Sequence, residues 1–504
     1  MKAWILVAFL SIGHFLSEGQ NSNAIWVFGD STGIDFNSST NPQTITTVIR
    51  SLGTCASIAD SAGQLIMYAF TRRGQGDHSA RIYNSNNVII EGGDTIVGEG
   101  NMTEMIIVPM PNSPGVYYVF STGMVFTSIQ GFYYTVVDMN LNGGLGKVIQ
   151  KNVQLNNFRN ADAVKAIKHG NGRDWWVLSK YSSSPPSSFN RFYLYLITPS
   201  GISQPLIEDL NNALDGDLQK LTFNPEGSKL MQVNILGLMC EYDFDRCTGI
   251  ISNPNIIFTE QSSNYDRTFW EGAYSPNGNI FYISTTDYPP LVDTINLLQY
   301  DLQSVNIPLS CDTLDVFIPP IGTGAVRLAS DGKIYFTRFY EWGFPGYPYP
   351  DSVYNQVNMN LSVINSPDSL GAACNYQPFS FYLGGKRTYY GLPNNPDYTL
   401  GPITGSICDT LTSSVLELAG QTVNLYIYYN PQWDIAFINA SGLKQNKINM
   451  TVADISGRII YNEFGTVYSG YYTKDLTLNG FAKGMYIVTI QTGNQMLSKK
   501  FVTY

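Results

Sequence analysis

Ser275-Pro276-Asn277-Gly278-Asn279-Ile280-Phe281-Tyr282-Ile283 is the stretch whose reading decides the fold. A short apolar run, Trp270 to Tyr274, precedes it, and past a loop comes Asn296-Leu297-Leu298-Gln299-Tyr300-Asp301-Leu302. Physically this is a strand, a tight turn, a second strand and then a third. Pro276 presets φ for the first corner of a type I turn, and Gly278 takes the left-handed position that closes it. The residues that follow are aromatic and β-branched, as in a buried strand.

The same unit recurs along the chain. Gly63 precedes Leu65-Ile66-Met67-Tyr68, Gly115 precedes Val116 to Phe120, and Gly172 precedes Trp175-Trp176-Val177-Leu178. Gly227 precedes Leu230-Met231, Gly332 precedes Ile334-Tyr335-Phe336, and Gly385 precedes Thr388-Tyr389-Tyr390. The turn glycines are therefore 63, 115, 172, 227, 278, 332 and 385, with steps of 52, 57, 55, 51, 54 and 53 residues. An all-β repeat of about fifty residues is the signature of propeller blades, four-stranded sheets that cannot bury their faces alone. The expectation is a seven-bladed β-propeller over residues 20–401. Before the first turn lie Trp26-Val27-Phe28-Gly29 and Gly33-Ile34-Asp35-Phe36, strands with no blade start. After the last turn the pattern stops at Pro393-Asn394-Asn395-Pro396. The N-terminal strands are expected to complete the last blade, beside strands at 379–383 and 387–391, removing the open edges.

Composition supports an all-β chain. Gly (46), Tyr (34) and Phe (26) are abundant, and charged residues make up only 13% of 504, about half the usual share. A net charge of −10 argues against nucleic-acid binding, which needs a basic footprint. Lys2, the apolar run Ala3 to Leu10 and Ser17-Glu18-Gly19 read as a secretory signal peptide over residues 1–19. No later stretch reads as transmembrane. Six Cys in an exported chain permit disulfides. Cys240 and Cys247 flank six residues and could clip one hairpin, while Cys55, Cys311, Cys374 and Cys408 allow three pairings.

Composition shifts to Ser, Thr, Gly and Leu over 402–424, read as a linker. Alternating strands separated by Ser-Gly, Lys-Gly and Thr-Gly-Asn turns then make residues 425–504 a small Ig-like β-sandwich. Its landmarks are Asn430-Pro431, Asp454-Ile455-Ser456-Gly457-Arg458 leading to Tyr461, Gly484-Met485-Tyr486, and the terminal Lys499-Lys500-Phe501-Val502. Taken together, these features resemble the type A C-terminal sorting domain of the type IX secretion system of Bacteroidetes. One departure is Tyr429 where the family usually has a first Pro. The resemblance implies that the secretion machinery is a partner, that the chain crosses the outer membrane via the periplasm, and that it is then attached to surface lipopolysaccharide or released. The first half resembles secreted WD40-like propellers that precede such domains, on Trp26 to Phe36 and Tyr390 to Asn394.

Catalytic signals are sparse. Gly29-Asp30-Ser31-Thr32-Gly33 has the spacing of a G-x-S-x-G elbow but lies among expected strands, and no separate α/β domain is present to hold one. His78 sits in a polar loop and His169 beside a blade turn, both read as structural. The carboxylate pairs Asp215/Asp217 and Asp243/Asp245 have the form used in glycoside chemistry, but Asp is also the commonest turn-capping residue. Oxygen ligands cluster at 140–144 and 211–217, which could hold calcium, although neither has EF-hand spacing. No other metal or cofactor is indicated. The most suggestive surface stretch is the aromatic loop Tyr340, Trp342, Phe344, Tyr347 and Tyr349, a residue set suited to sugar or peptide contact. The expected function is a secreted or cell-surface binding or adhesion module for an extracellular glycan or protein. The alternative is a carbohydrate- or peptide-active enzyme using the propeller funnel.

Overall fold

The computed structural model describes residues 21–71, 79–98, 103–123, 129–182, 190–210, 218–259, 266–287, 291, 293–318, 321–340, 354–409, 424–431, 434–467, 470–493 and 495–503. The chain divides into two compact units. The first holds residues up to 401 apart from the loops 169–174 and 197–203, and the second holds those loops with 402–504.

Among the described residues up to 382, strands pair into seven antiparallel sheets in chain order. Sheet one is Ile25–Phe28, Asp30–Asp35 and Gln43–Arg50. Sheet two is Cys55–Ala59, Leu65–Thr71, Ser79–Asn84 and Ile96–Val97, and sheet three is Met105–Pro109, Val116–Thr122, Phe132–Asp138 and Lys147–Asn156. Sheet four is Lys165–Lys168, Trp175–Lys180, Arg191–Thr198 and Gly201–Ile202, with Leu206–Asp209 also on its third strand. Sheet five is Gln219–Phe223, Lys229–Asn234, Leu238–Phe244 and Ile251–Thr259. Sheet six is Arg267–Tyr274, Ile280–Asp287, Thr294–Asp301 and Asp312–Phe317, and sheet seven is Ile321–Leu328, Ile334–Tyr340, Asn360–Ile364 and Tyr376–Tyr382.

The first hairpin of sheets two to seven is built alike. Gly63, Gly115, Gly172, Gly227, Gly278 and Gly332 all have φ between +74° and +80°, a region that other L-residues enter at a cost of about 1–2 kcal/mol. In five of these turns the glycine N–H donates to the carbonyl three residues back at 2.9–3.0 Å, and at Gly115 that bond moves on by one residue, from Val116 to Ser113. Burial follows strand order. Ile280–Asp287 is buried throughout, whereas the fourth strands Lys147–Asn156 and Asp312–Phe317 have largely exposed or half-buried side chains. The middle of each sheet is therefore pressed between neighbours and its last strand faces solvent.

Consecutive sheets share cores. Sheets five and six pack through Met231, Val233, Phe269, Phe281 and Ile283, and sheets six and seven through Tyr282, Leu297, Val326 and Phe336. Sheet one closes the circuit. Trp26, Phe28 and Ile34 pack on Ala325, Tyr335 and Val363 of sheet seven and also on Cys55, Tyr68 and Phe70 of sheet two. Trp26 meets Phe36 edge-on at 5.0 Å and Tyr335 at 5.8 Å. This is a propeller, and its axis is marked by one segment. Residues 388–401 contain no strand, yet they bond to almost every sheet. Tyr390 O accepts from Ala325 N (2.7 Å), Gly391 N donates to Leu52 O (3.0 Å), and Asn394 N donates to Cys55 O (2.7 Å). Tyr398 Oη donates to Ile107 O at 2.8 Å, and Arg246 Nη2 to Gly401 O at 2.7 Å. A single extended segment can reach the first strands of so many sheets only where those strands converge.

Closure differs from the expectation of a shared last blade. Residues 376–382 form the outer strand of sheet seven, and the N-terminal strands make a sheet of their own. What joins the two ends is a bridge between Asp30 and Arg387, with Asp30 N donating to Arg387 O at 2.9 Å. The segment that was expected to supply strands carries Pro393 and Pro396, which donate no backbone hydrogen bond, and it spends its remaining backbone groups on several sheets. The expected Cys240–Cys247 clip is also corrected. Cys240 keeps its thiol, while Cys247 and Cys408 are the disulfide-bonded cysteines. Cys240 lies in a strand that runs on to Phe244, and at about 3.3 Å per residue those four residues carry the chain roughly 13 Å away, beyond the reach of a disulfide.

The second unit contains a two-sheet sandwich. One sheet has the order Asn424–Asn430, Ile435–Ser441, Tyr471–Thr477, and the other Ile459–Thr466, Lys447–Asp454, Gly484–Thr492, Gln495–Thr503. Alternate residues such as Ile448, Met450 and Val452, with Tyr486, Val488 and Ile490, meet Ala436, Ile438 and Ala440 in its core.

Candidate functional site: the axial cavity

Charge is scarce in this chain, and the propeller concentrates it at the axis. Charged residues stand in or just before the first strand of each of sheets three to seven, among them Glu104, Asp162 with Lys165, Lys220, Glu271 and Arg327. Because first strands converge, residues some fifty positions apart come within contact of each other.

They form two networks. In the first, Lys220 Nζ lies 2.6 Å from Asp162 Oδ2, with both side chains almost completely buried. Asp162 Oδ1 also accepts from Thr103 N (2.7 Å) and Thr103 Oγ1 (3.0 Å). Glu104 is 1% exposed and accepts from the Thr54 hydroxyl. Burial, reinforced by the Asp162 charge, pushes its carboxyl well above the usual range. In the second network, Arg327 directs Nε (2.7 Å) and Nη2 (2.6 Å) to the same oxygen, Oε1 of Glu271. Its Nη1 donates to Pro393 O. Glu271 Oε2 is buried and has no hydrogen-bond partner. Lys165 Nζ donates to Asn394 Oδ1 at 3.1 Å. Burial, with the Arg327 charge adding to it, lowers the Lys165 ammonium to about 7.

Asn394 knits these networks to the axial segment. Its Nδ2 donates to Val164 O (2.9 Å), Met105 O (3.1 Å) and Thr103 O (3.3 Å), and it is fully buried. Beside it Asn395 Oδ1 accepts from Ser57 N at 3.0 Å. Against this segment the first strands of sheets four to seven enclose a cavity of about 330 Å³, at the small end of ligand sites. Its wall carries Lys165, Lys220, Glu271, Arg327 and Asp397, the amides of Asn23, Asn224 and Asn395, and the rings of Trp26, Phe223 and Tyr274. Chemically it offers paired charges, amides and aromatic faces together.

The residues singled out from sequence fall elsewhere. Tyr340 ends a strand of sheet seven, while Trp342, Phe344, Tyr347 and Tyr349 lie outside the described residues, as do His78, Asp215 and Asp217. Asp243 pairs with Lys229 at 2.6 Å on the surface, and Asp245 caps a turn through Cys247 N and Thr248 Oγ1, both at 2.8 Å. His169 accepts from Asn171 N at 3.1 Å within its turn. The axial charges went unread, although the signal was present. Glu271 interrupts an apolar stretch shortly before a turn glycine, in Phe269-Trp270-Glu271-Gly272-Ala273, and Arg327 does so after Ala325-Val326.

In the sandwich, Asp454 builds a turn. Its Oδ1 accepts from Ser456 N (2.9 Å) and Arg458 N (3.1 Å), and Gly457 closes the turn at φ +84°. The Ser456 hydroxyl, first among its hydrogen bonds, holds the Asp454 carboxyl below its usual range. Asn430 is buried at a strand end with Pro431 in the turn after it, and Gly484 opens a strand. Tyr486 packs between Phe481 (5.3 Å) and Phe501 (5.6 Å). Lys499 Nζ sits 5.5 Å from the Tyr426 ring centre, and Lys500 is exposed.

Residues 426–504 match the secretion system C-terminal sorting domain family. This type IX sorting tail marks the chain for secretion to the cell surface. Among the described residues no helix is long and apolar enough to cross a membrane. No curated protein matches the chain. Among solved structures it is similar to the Dos1 propeller, at 10% identity over 75% of this chain and 88% of that one, with a TM-score of 0.38. A quinonprotein alcohol dehydrogenase-like protein from Bacteroides thetaiotaomicron is 10% identical over 75% and 76%, with a TM-score of 0.35. A puromycin-hydrolyzing peptidase from Mycobacterium tuberculosis is 11% identical over 74% and 56%, with a TM-score of 0.38.

Proposed function

We propose that this is a binding or adhesion protein of the cell surface or its surroundings, a ring of seven blades delivered by its sorting tail, which takes an extracellular ligand in the axial cavity. The observation that carries the reading is the state of the charges there. Asp162 is already matched to Lys220 and one oxygen of Glu271 to Arg327, while amides and aromatic rings share the same wall. Hydrolysis of a glycoside needs two carboxyls free to act on opposite sides of one bond. Here Asp162 and Glu271 are tied to cations, an arrangement suited to shaping and polarising a site rather than to moving protons during turnover.

The test uses the full mature chain on glycan and peptide arrays, with turnover of the same compounds followed by mass spectrometry. Saturable binding without product supports the proposal. Product formation that stops when Glu271 is replaced would instead establish the enzyme reading, and binding left intact when Ser330 at the cavity wall is replaced by Trp would move the ligand off the axis.

A further inference from the structure

Lys180 and Asn190 are both completely buried. Lys180 ends the second strand of sheet four, and Asn190 stands just before the third. Tyr181 N donates to Arg191 O at 3.2 Å and holds the two strand ends side by side. Lys180 Nζ donates to Asn190 Oδ1 and lies 4.0 Å from the centre of the Phe192 ring. We infer that these two side chains join covalently: the Lys180 amine and the Asn190 carboxamide form an intramolecular amide, a cross-link within sheet four that the folded chain makes by itself. It requires no ligand at the axis.

The surroundings supply what such a reaction needs. The attacking group has to be a neutral amine, and burial disfavours the ammonium form. The carbon under attack has to be in reach and its oxygen has to be stabilised as it gains charge. Asn190 Cγ sits about 1.2 Å behind the oxygen that Lys180 already touches. That oxygen also accepts from Gln232 Nε2 at 3.3 Å, a donor aimed where negative charge develops. The departing nitrogen has to receive a proton. Asn190 Nδ2 meets Tyr242 Oη at 3.0 Å and Gln232 Oε1 at 3.1 Å, and a tyrosine hydroxyl so placed can pass a proton to it. Gln232 and Tyr242 belong to sheet five and are buried, so the site is assembled only once two sheets have packed. The step balances with no further reagent. A bond forms between Nζ and Cγ, the bond between Cγ and Nδ2 breaks, and the proton lost from Nζ leaves with Nδ2 as ammonia. The product keeps a carbonyl and an N–H for the same neighbours, and it removes the charge of a lysine whose burial is otherwise costly.

The experiment is peptide mass mapping of the full mature chain after reduction. Trypsin acting on an unbonded chain cuts after Lys180 and releases residues 174–180 and 181–191 separately. The cross-linked chain gives residues 174–191 as one piece, uncut at Lys180 and lighter than its sequence by one ammonia. That single piece is the expected result. Separate fragments of full sequence mass overturn the inference. So does loss of ammonia with Lys180 still open to trypsin, because that is Asn190 cyclising on its own backbone. Lys180→Met removes the amine at similar length and should restore the full mass of 174–191; a variant still lighter by ammonia places the loss elsewhere and also overturns the cross-link. Should Lys180→Met fail to fold, the wild-type map decides alone. Tyr242→Phe keeps the ring and removes only the hydroxyl. Sampled through time after synthesis, it should reach the bonded state at least about tenfold more slowly than wild type, and equal rates would overturn the part assigned to Tyr242.

Discussion

At the scale of single residues, Glu104 and Lys165 carry the clearest consequences. Burial and then the Asp162 charge raise the Glu104 carboxyl well above its ordinary range. Its folded affinity for a proton exceeds that of the unfolded chain, so its contribution is fully present below the ordinary carboxylate range and is lost as pH rises through the raised folded value. Glu104→Gln should therefore lie within about 1 kcal/mol of wild type in urea unfolding at neutral pH. Asp162→Asn strips Lys220 of its counter-ion and should cost about 3–5 kcal/mol. Equal losses from both changes would show that Glu104 is ionised. Lys165 behaves in the opposite way. Its usual value of 10.5 falls to about 7 on folding, so between those limits the unfolded chain binds the extra proton and stability rises with pH. Lys165→Met should flatten that rise, read as Tm against pH from about 7 to about 10; an unchanged slope refutes the assignment. Of these charges, Glu271 and Arg327 were legible as interruptions in apolar stretches. Their pairing was not, because Asp162 finds Lys220 and Glu271 finds Arg327 across separate sheets.

At the scale of elements, the turn glycines can be tested as a set. A methyl group at Gly332, φ +79°, would meet nothing within 4 Å, whereas one at Gly63, φ +80°, would sit 1.8 Å from Asn37 Oδ1. Gly332→Ala should then cost only the conformational penalty of about 1–2 kcal/mol. Gly63→Ala should cost more, because Asn37 must give up its 2.9 Å bond to Gly63 O. Denaturant midpoints measured side by side would check this, and equal losses would remove Asn37 from the account. The hairpins at Gly63 through Gly332 were read correctly from sequence, since a turn glycine and its flanking strands are local matters, whereas the one expected at Gly385 is absent because residues 388–401 form no strand. Cys240 shows where such reading stops. Seven residues looked like a clip, but the strand continues to Phe244 and carries the two sulfurs apart.

For the molecule as a whole, the ring is shut by the meeting of its two ends. Arg387 Nη2 lies 3.0 Å from Asp30 Oδ2, its side chain 1% exposed. Arg387→Ala would leave Asp30 without its cation and loosen sheet one from the axial segment. The expected loss is about 3–5 kcal/mol, with faster amide exchange in Ile25–Phe28 than in sheets four to six. Exchange accelerated evenly over every sheet would mean that the ends do not close the ring.

The sequence by itself determined the repeat, the all-β class and the sorting tail, because each is written in local patterns: turn glycines at a steady step, alternating apolar residues, and a compact run of motif positions. Tertiary structure alone decided how the ring closes, that Cys240 is not clipped to Cys247, and that Glu104, Asp162, Lys165, Lys220, Glu271 and Arg327 share one axis. The physical reason is convergence. First strands of separate sheets are brought together by packing between sheets, and the partners of a buried charge are then chosen by distance in space, which no spacing along the chain records.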